Sequence, residues 1–249
     1  MTNYSNIYRG AEYASYRPEY PEGLFRWLCS LPESKEHAWD CGTGNGQVAR
    51  NLAGFFERVT ATDSNHEQIQ KCSMLRNIRY AVEHAEKSSL PDKSIDLVTV
   101  GCAVHWFDTE KFYAEVSRVL KPGGMIAVWC YEYPWTGNHE VDEILRHYKE
   151  AILGDFWPPE AQIYFNRYQN LQFPFEGIRA QIPTFEIDCQ WGPSDVLNFL
   201  STWTGPIRYK NETGQDPKLC VEEDLSKAWS AAGLTVGVKL PIYMKVGKL

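Results

Sequence analysis

The sequence lacks a run of basic residues, and no apolar stretch approaches the roughly 20 residues of a membrane helix. Its formal net charge of −7 is poorly suited to a phosphate backbone, so we expect no nucleic-acid partner. The first residues, Met1-Thr2-Asn3-Tyr4, show no basic segment followed by an apolar one, which argues against a signal peptide. These absences together favour a protein without a membrane span.

Paired cysteines are also absent, because the seven cysteines are odd in number and form no CxxC motif. This pattern argues against a disulfide framework and against a structural zinc site. We therefore expect reduced thiols, no bound metal and a cytoplasmic location.

What the sequence does contain is a globular composition spread over 249 residues, with 43% hydrophobic and 23% charged residues. The length suits one large α/β domain with a decorated rim. The aromatic residues are numerous, with 9 Trp, 14 Tyr and 11 Phe, and many fall in irregular stretches. They fit either a lid over an apolar ligand or the core of the later part of the chain.

Residues 37–131 alternate between short apolar runs and helix-like patterns. The predicted strands are 37–41, 57–62, 78–82, 95–101 and 124–131, and the predicted helices are 46–55, 65–74 and 109–120. Near-continuous apolar runs such as 95–101 are typical of strands covered on both faces. The alternation predicts a doubly wound, mainly parallel α/β sheet.

Three regions are predicted within a single domain. Residues 1–36 form an N-terminal arm and a helix, 37–131 form a cofactor-binding core, and 132–249 form an α-helical, aromatic cap with C-terminal antiparallel strands. The predicted cap helices are 138–153, 158–170, 194–203 and 221–232. Two late segments, 182–190 and 236–247, are predicted to pair on the sheet edge.

A glycine-rich turn joins the first predicted strand to the first crossover helix. Gly42, Gly44 and Gly46 let the backbone turn sharply and approach a ligand closely. The spacing is GxGxG rather than the GxGxxG of dinucleotide binders. Asp40 precedes the turn, and its carboxylate would repel a pyrophosphate but suit a cationic sulfonium and ammonium. The turn therefore favours S-adenosylmethionine over a nicotinamide dinucleotide.

An acidic residue ends the second predicted strand. Asp63 lies 23 residues after Asp40, and in doubly wound folds an acid at this place accepts hydrogen bonds from ribose hydroxyls. Its alternative role is as the N-cap of the following helix, which Ser64 or Asn65 is equally able to serve. With the glycine turn upstream, the ribose role is favoured.

Several short blocks carry a family resemblance. They are Tyr13-Ala14-Ser15-Tyr16-Arg17-Pro18-Glu19-Tyr20-Pro21, the turn 40–46, Asp63, Ala85-Glu86 with Leu90-Pro91-Asp92, Ile95-Asp96-Leu97-Val98, Ala103-Val104-His105-Trp106-Phe107-Asp108, Arg118-Val119-Leu120-Lys121-Pro122-Gly123-Gly124 and Ser201-Thr202-Trp203. With these blocks the chain resembles class I S-adenosylmethionine-dependent methyltransferases with a type 11 domain, in the branch of trans-aconitate and other small-acid methyltransferases. The resemblance implies a Rossmann-like fold with a seven-stranded sheet.

The resemblance also implies which residues bind the cofactor. Asp40, Gly42 and Gly44 would line its methionine moiety, and Asp63 its ribose. The other implied contacts are Ser64, Ala85 and Glu86 around the adenine, the backbone of Cys102 or Ala103, and Tyr16 or Arg17 near the cofactor carboxylate. Members of the family often have Gly-Asp before the Ala-Glu pair. Here Glu83 and His84 stand there, which puts the adenine contact in doubt and makes Glu86 its candidate.

The reacting end of the site is expected beyond the fourth strand. His105 lies just past that strand, where open α/β sheets place their sites, and it is the candidate catalytic residue. Its alternative is a histidine that shapes the loop, and Asp108 is expected to cap the helix 109–120. Candidate substrate contacts are Trp106, Tyr131, Tyr133, Trp135, Trp203 and Arg208. Arginine is the natural clamp for a carboxylate, which singles out Arg208 and Arg17.

The expected activity is transfer of a methyl group by in-line displacement, with S-adenosylhomocysteine as the second product. The expected acceptor is a small molecule, with a carboxylate or hydroxyl oxygen on an apolar acid as the methylated atom. Alternatives are methylation at carbon or nitrogen on the same fold, or binding of the cofactor without catalysis. A monomer or a homodimer is expected.

Overall fold

Five parallel strands build the centre of the sheet in the computed structural model, which describes residues 16–233 and 236–249. They are β1 (His37–Cys41), β2 (Arg58–Asp63), β3 (Ile78–Val82), β4 (Ile95–Gly101) and β5 (Leu120–Tyr131). Their order in the sheet is β3-β2-β1-β4-β5, so the strand order reverses between β1 and β4. Ligands of doubly wound folds bind at the carboxyl ends of the strands that flank this reversal.

Short helices connect these strands. They are α1 (Glu22–Leu28) before β1, α2 (Gln47–Leu52), α3 (His66–Ile69), a 3-10 turn (Val104–Trp106) and α4 (Thr109–Val119). The prediction of a helix over 65–74 is too long, since the helix ends at Ile69. The apolar residues beyond it do not pack, and the Met74 side chain is 83% exposed.

The core around the central strands is apolar and closely packed. The Trp39 ring of β1 packs against Phe112 of α4 with ring centroids 6.2 Å apart. Its indole Nε1 donates a hydrogen bond to Thr62 Oγ1 over 2.9 Å, so the buried ring leaves no unsatisfied donor. This contact ties β1 to β2 immediately before the glycine turn.

The chain continues through α5 (His139–His147), a π-helical turn (Tyr148–Ile152), a 3-10 turn (Gly154–Phe156) and α6 (Ala161–Phe165). It then forms β6 (Glu176–Gly177), β7 (Phe185–Trp191), α7 (Pro193–Ser201), α8 (Thr204–Thr213), a 3-10 turn (Pro217–Cys220), α9 (Glu222–Ala232) and β8 (Val236–Lys248). The helix α8 and the two-residue strand β6 were not predicted.

The late strands extend the sheet as predicted. β8 pairs antiparallel with β5, from Met125 opposite Lys248 to Tyr131 opposite Ile242. β6 and β7 both pair with β8, which gives eight strands where the sequence predicted seven. The fold is therefore the predicted mixed α/β, Rossmann-like one.

The described residues divide into two compact units. The core unit comprises Tyr20–Tyr131, Ile163–Phe185 and Ile242–Leu249. The cap unit comprises residues 16–19, 132–162, 186–233 and 236–241. Within the described ranges, no helix combines the length and the apolar character needed to cross a bilayer.

Candidate functional site

The glycine turn follows β1 in the core unit. Gly42, Gly44 and Gly46 have φ angles of 70°, 55° and 81°, a left-handed region that favours glycine. The N–H groups of Gly42 and Thr43 both donate to the carbonyl of Thr62 over 2.9 Å. The turn is therefore fastened to the end of β2, next to Asp63.

The three glycines differ in what lies beside them. A Cβ atom on Gly42 would lie 2.6 Å from Ala103 Cβ, and one on Gly46 would lie 2.7 Å from the Tyr80 hydroxyl. A Cβ on Gly44 would meet nothing within 4 Å. Gly42 and Gly46 are thus required by close packing, whereas Gly44 presents its backbone to open space where a ligand can approach.

Asp63 flanks this open space. Its Oδ2 atom accepts a hydrogen bond from the N–H of Gly44 over 2.8 Å, and its Oδ1 atom accepts from the N–H of Asn65 over 2.8 Å. The N-cap of α3 is Asn65, whose side chain accepts from the N–H groups of Glu67 and Gln68. Asp63 is therefore not the cap, and each of its oxygens retains capacity for a further hydrogen bond.

Asp40 lies inside the turn and is 1% exposed. Its oxygens accept hydrogen bonds from Thr43 Oγ1 over 2.5 Å and from Thr99 Oγ1 over 3.0 Å. Burial raises the pKa of this carboxyl to about 6, while the two hydroxyl donors lower it. The residue thus joins the turn to β4, and direct contact with a methionine moiety stays a prediction.

The raised pKa of Asp40 makes a testable prediction. The ordinary pKa of an Asp is about 3.9, so the folded state binds more protons than the unfolded state between about pH 4 and pH 6. The contribution of Asp40 to stability therefore falls as the pH rises through that window. We expect Asp40→Asn, which cannot ionise, to gain stability relative to the parent protein, by up to about 3 kcal/mol at about 1.4 kcal/mol per pKa unit.

Urea unfolding of both proteins between pH 4 and pH 8 measures this difference. Thr43→Val is a companion variant that keeps the carboxyl but removes a donor that lowers its pKa, so it should retain a stability that changes with pH. A difference between Asp40→Asn and the parent that does not change with pH would contradict the assignment.

The loops after β3 and β4 are linked by Glu86. Its Oε1 atom accepts a hydrogen bond from the N–H of Asp108 over 2.9 Å. Asp108 itself caps α4 by accepting from the N–H of Lys111, which confirms its predicted role. Ala85 is buried, and His84 is exposed, with its backbone in a bridge to Lys87. Ser64 is also exposed, and an adenine contact through any of these residues stays a prediction.

The chain is strained where β4 ends. Cys102 has a φ of 55°, which is uncommon for a residue other than glycine and is typical of functional sites. Its N–H donates to the carbonyl of Trp129 over 2.8 Å, and its Sγ lies 3.4 Å from the Tyr20 hydroxyl. The strain turns the chain so that Ala103 abuts Gly42.

His105 follows in the 3-10 turn and is 7% exposed. Its Nδ1 atom lies 2.9 Å from the Tyr168 hydroxyl, and its ring contacts Trp106 and Tyr164 at 4.7 and 5.2 Å between centroids. Tyr164 and Tyr168 were not predicted. They lie about sixty positions after His105, and the only feature of the sequence that pointed to them was its large number of aromatic residues.

Tyr131 lies at the end of β5 and is buried in the core unit. Its ring is 6.1 Å from that of Tyr20 and 6.4 Å from that of Tyr164, and its carbonyl accepts a hydrogen bond from the Tyr164 hydroxyl over 2.6 Å. Tyr131 is only 3% exposed, and it packs against Tyr164, whose ring contacts His105.

The cap unit brings together three of the predicted residues. Trp203 is 7% exposed and lies 5.6 Å from the Tyr133 ring. The Arg17 guanidinium lies 6.0 Å from the Trp203 ring and 5.5 Å from that of Phe199.

The other predicted cap residues make different contacts. Trp135 is 54% exposed, and its backbone pairs with Lys239. Arg208 forms an ion pair with Glu212 over 3.3 Å on the same helix, so its guanidinium is partly neutralised. Tyr16 is half-buried, and the preceding part of the predicted arm, residues 1–15, lies outside the described residues.

Known proteins share this architecture. A methyltransferase domain family matches residues 39–128, which contain the glycine turn and Asp63. A Dictyostelium discoideum protein that is named as a methyltransferase is 28% identical over 242 residues, which cover 95% of this chain and 91% of that protein. A solved structure described as a type II methyltransferase, from Anaeromyxobacter dehalogenans, is 35% identical with a TM-score of 0.83 and covers 93% of this chain and 97% of its own.

The similarity reaches a yeast protein as well. A protein named as an S-adenosylmethionine-dependent methyltransferase in Saccharomyces cerevisiae is 26% identical over 143 residues, which cover 53% of this chain and 49% of that protein. The chain belongs to the class I S-adenosylmethionine-dependent methyltransferases. It is therefore an enzyme of methyl transfer, as the glycine turn and the two aspartates predicted.

Proposed function

We propose that this methyltransferase binds S-adenosylmethionine at the glycine turn and methylates an oxygen atom of a small apolar acid. The observation that carries the cofactor assignment is the open space beside Gly44, with the Asp63 carboxylate held at its edge. The backbone leaves room there for a ligand, and the carboxylate suits two ribose hydroxyls.

Other residues of the core unit would complete the cofactor contacts. Gly42 and Gly44 would line the methionine moiety, with Asp40 holding the turn in place through Thr43 and Thr99. The predicted adenine and backbone contacts are Ser64, Ala85, Glu86, Cys102 and Ala103. When bound, the cofactor supplies a methyl group activated by a positively charged sulfur.

The protein's own part is to orient the acceptor and exclude water. His105 and Trp106 follow shortly after Ala103 in the chain. The His105 imidazole lies inside an aromatic cluster. In the cap unit, Trp203 and Tyr133 form an aromatic cluster with two cations beside it. Arg17 lies near the Trp203 ring, and the Lys149 ammonium lies 5.4 Å from the Tyr133 ring. The Tyr133 hydroxyl is buried and has no hydrogen-bond partner within the described residues. This chemistry suits an apolar molecule that carries an acidic group.

Two measurements test the proposal. Calorimetry with S-adenosylmethionine is expected to show one site per chain, and NADH is expected not to compete. The protein is then incubated with methyl-labelled cofactor and a panel of apolar carboxylic acids, phenols and amines. The labelled methyl group is expected in a methyl ester or a methyl ether.

The alternatives are separated by the same panel. Label transferred only to amines or to carbon would assign methylation at nitrogen or carbon and would contradict the proposed acceptor. Tight cofactor binding with no transfer to any compound would favour a cofactor-binding protein without catalysis. Tight binding of NADH at the same site would overturn the cofactor assignment.

A further inference from the structure

The helix α6 ends in an unusual backbone turn within the core unit. Arg167 and Tyr168 have φ angles of 55° and 57°, so two consecutive residues other than glycine are left-handed. The N–H of Tyr168 donates to the carbonyl of Ile163, and the N–H of Arg167 donates to that of Tyr164. This is the Schellman pattern, in which the position of Arg167 is usually glycine.

Contacts of the two side chains hold this strained turn. The Arg167 guanidinium lies 4.8 Å from the centre of the Tyr243 ring. The Tyr168 side chain is 0% exposed and points its hydroxyl at His105 Nδ1, 2.9 Å away. Strained backbone conformations cluster at functional sites, and here the strained turn places one hydroxyl next to one imidazole nitrogen.

The direction of this hydrogen bond follows from the surroundings of the hydroxyl. Across the described part of the chain, His105 Nδ1 is the only hydrogen-bond partner of the Tyr168 hydroxyl. If Nδ1 carried the proton and donated it, the phenol proton would be buried without an acceptor, which is strongly disfavoured. If the phenol donates to Nδ1, both groups are satisfied, and the imidazole proton resides on Nε2.

The electrostatic surroundings agree with a protonated Tyr168 phenol. Burial raises the pKa of Tyr168 well above its usual value, and the thiols of Cys130 and Cys102 and the phenols of Tyr113 and Tyr131 raise it further. The phenol therefore keeps its proton and remains the donor.

We propose that Tyr168 is a positioning residue that holds His105 as the Nε2–H tautomer, so that the imidazole acts as a hydrogen-bond donor and not as a general base. This rests on the proposed function, in which His105 serves the acceptor. An acceptor oxygen must then arrive already ionised. Its bond to the methyl carbon forms while the carbon–sulfur bond breaks, the sulfur takes up that bonding pair, and no proton has to be removed.

The tautomer is tested directly by nitrogen-15 NMR of the imidazole in the full-length protein, with His105→Gln used to assign its signals. We expect the parent protein to show a protonated Nε2 and an unprotonated Nδ1. Tyr168→Phe is expected to shift the population toward a mixture of tautomers. Tyr164→Phe is the matched control, because it removes a hydroxyl of the same aromatic cluster that donates to the Tyr131 carbonyl and not to His105 Nδ1. This variant should leave the tautomer unchanged.

A proton on Nδ1 in the parent protein would overturn the proposal, and so would identical signals in Tyr168→Phe. This readout needs neither cofactor nor acceptor. It therefore remains informative even when no oxygen acceptor is methylated, an outcome that contradicts the proposed function alone. Thermal unfolding checks that both phenylalanine variants are folded.

Activity provides the second test once an acceptor is known. A glutamine at position 105 keeps an N–H donor but cannot act as a base, so His105→Gln is expected to retain at least roughly tenfold more kcat than His105→Ala. The kcat/KM of the parent enzyme is expected to stay level between about pH 6 and pH 8, where a histidine base would titrate. Equal loss in both variants, with a rate that rises with pH, would assign a base instead.

Tyr168→Phe should then lower kcat by roughly 10- to 100-fold through misplacement of the imidazole. Its Kd for S-adenosylmethionine should remain that of the parent enzyme. A purely structural role of Tyr168 would alter the stability without changing the tautomer or the pH profile.

Discussion

Alanine at position 44 is expected to remove most of the affinity for S-adenosylmethionine while the fold remains intact. Gly44 has a φ of 55°, and a Cβ there would meet nothing within 4 Å. The substitution therefore costs only the left-handed backbone strain, roughly 1–2 kcal/mol. The added methyl group would occupy the space through which the ligand reaches the backbone, and we expect the Kd to rise by roughly 100-fold or more.

Gly214→Ala is the matched control for this experiment. Gly214 ends α8 in the cap unit with a φ of 73°, and a Cβ there would also meet nothing within 4 Å. Both variants should lose a similar amount of stability in urea unfolding. Calorimetry should show weakened cofactor binding only for Gly44→Ala, and equal affinity of the two variants would place the cofactor elsewhere.

Gly42→Ala should behave differently from both. Its Cβ would lie 2.6 Å from Ala103 Cβ, a separation that real Cβ atoms do not adopt. The loop after β4 would have to move. We therefore expect this variant to lose stability beyond the backbone strain, in contrast to Gly44→Ala.

Removal of the Asp63 carboxylate has the second large expected effect. Each hydrogen bond to a charged group is worth roughly 1.5–3 kcal/mol. Asp63→Ala should therefore raise the Kd for S-adenosylmethionine by roughly 10-fold to more than 100-fold. Part of this loss would come from the turn itself, because the carboxylate also accepts the N–H of Gly44.

Two variants separate these contributions. Asp63→Asn keeps one carbonyl oxygen, so it should hold the turn better and lose less affinity than Asp63→Ala. Asp188→Ala removes an exposed acid on β7 and should leave the affinity unchanged. An Asp63→Ala protein that is folded and binds the cofactor as tightly as its parent would contradict the ribose assignment.

The sequence predicted the central strands closely because their signals are local. The apolar runs and the turns that bound them lie within a few residues of each other, and β1, β3 and β4 have their predicted bounds. The glycine turn and Asp63 were found in the same way. Both lie at strand ends, and the topology of a parallel sheet brings such ends to one edge.

Longer-range features were less accessible. The length of α3 and the existence of α8 depend on which apolar residues pack against other elements, and a periodic pattern does not predict such tertiary contacts. The burial of Asp40 likewise follows from its contact with Thr99, which is distant in the chain. An acidic residue before a glycine turn is compatible with either direct ligand contact or a structural role.

The class of enzyme was thus determined by the sequence alone, since a turn, an acid at a strand end and their spacing are local patterns with a physical requirement behind each residue. The side chain that faces His105 Nδ1 was decided only by the tertiary structure. The Tyr168 hydroxyl reaches His105 from 63 positions away, on a strained turn that no local pattern predicts. The proposed Nε2–H tautomer follows from this buried contact, because the Tyr168 hydroxyl has no other hydrogen-bond partner among the described residues.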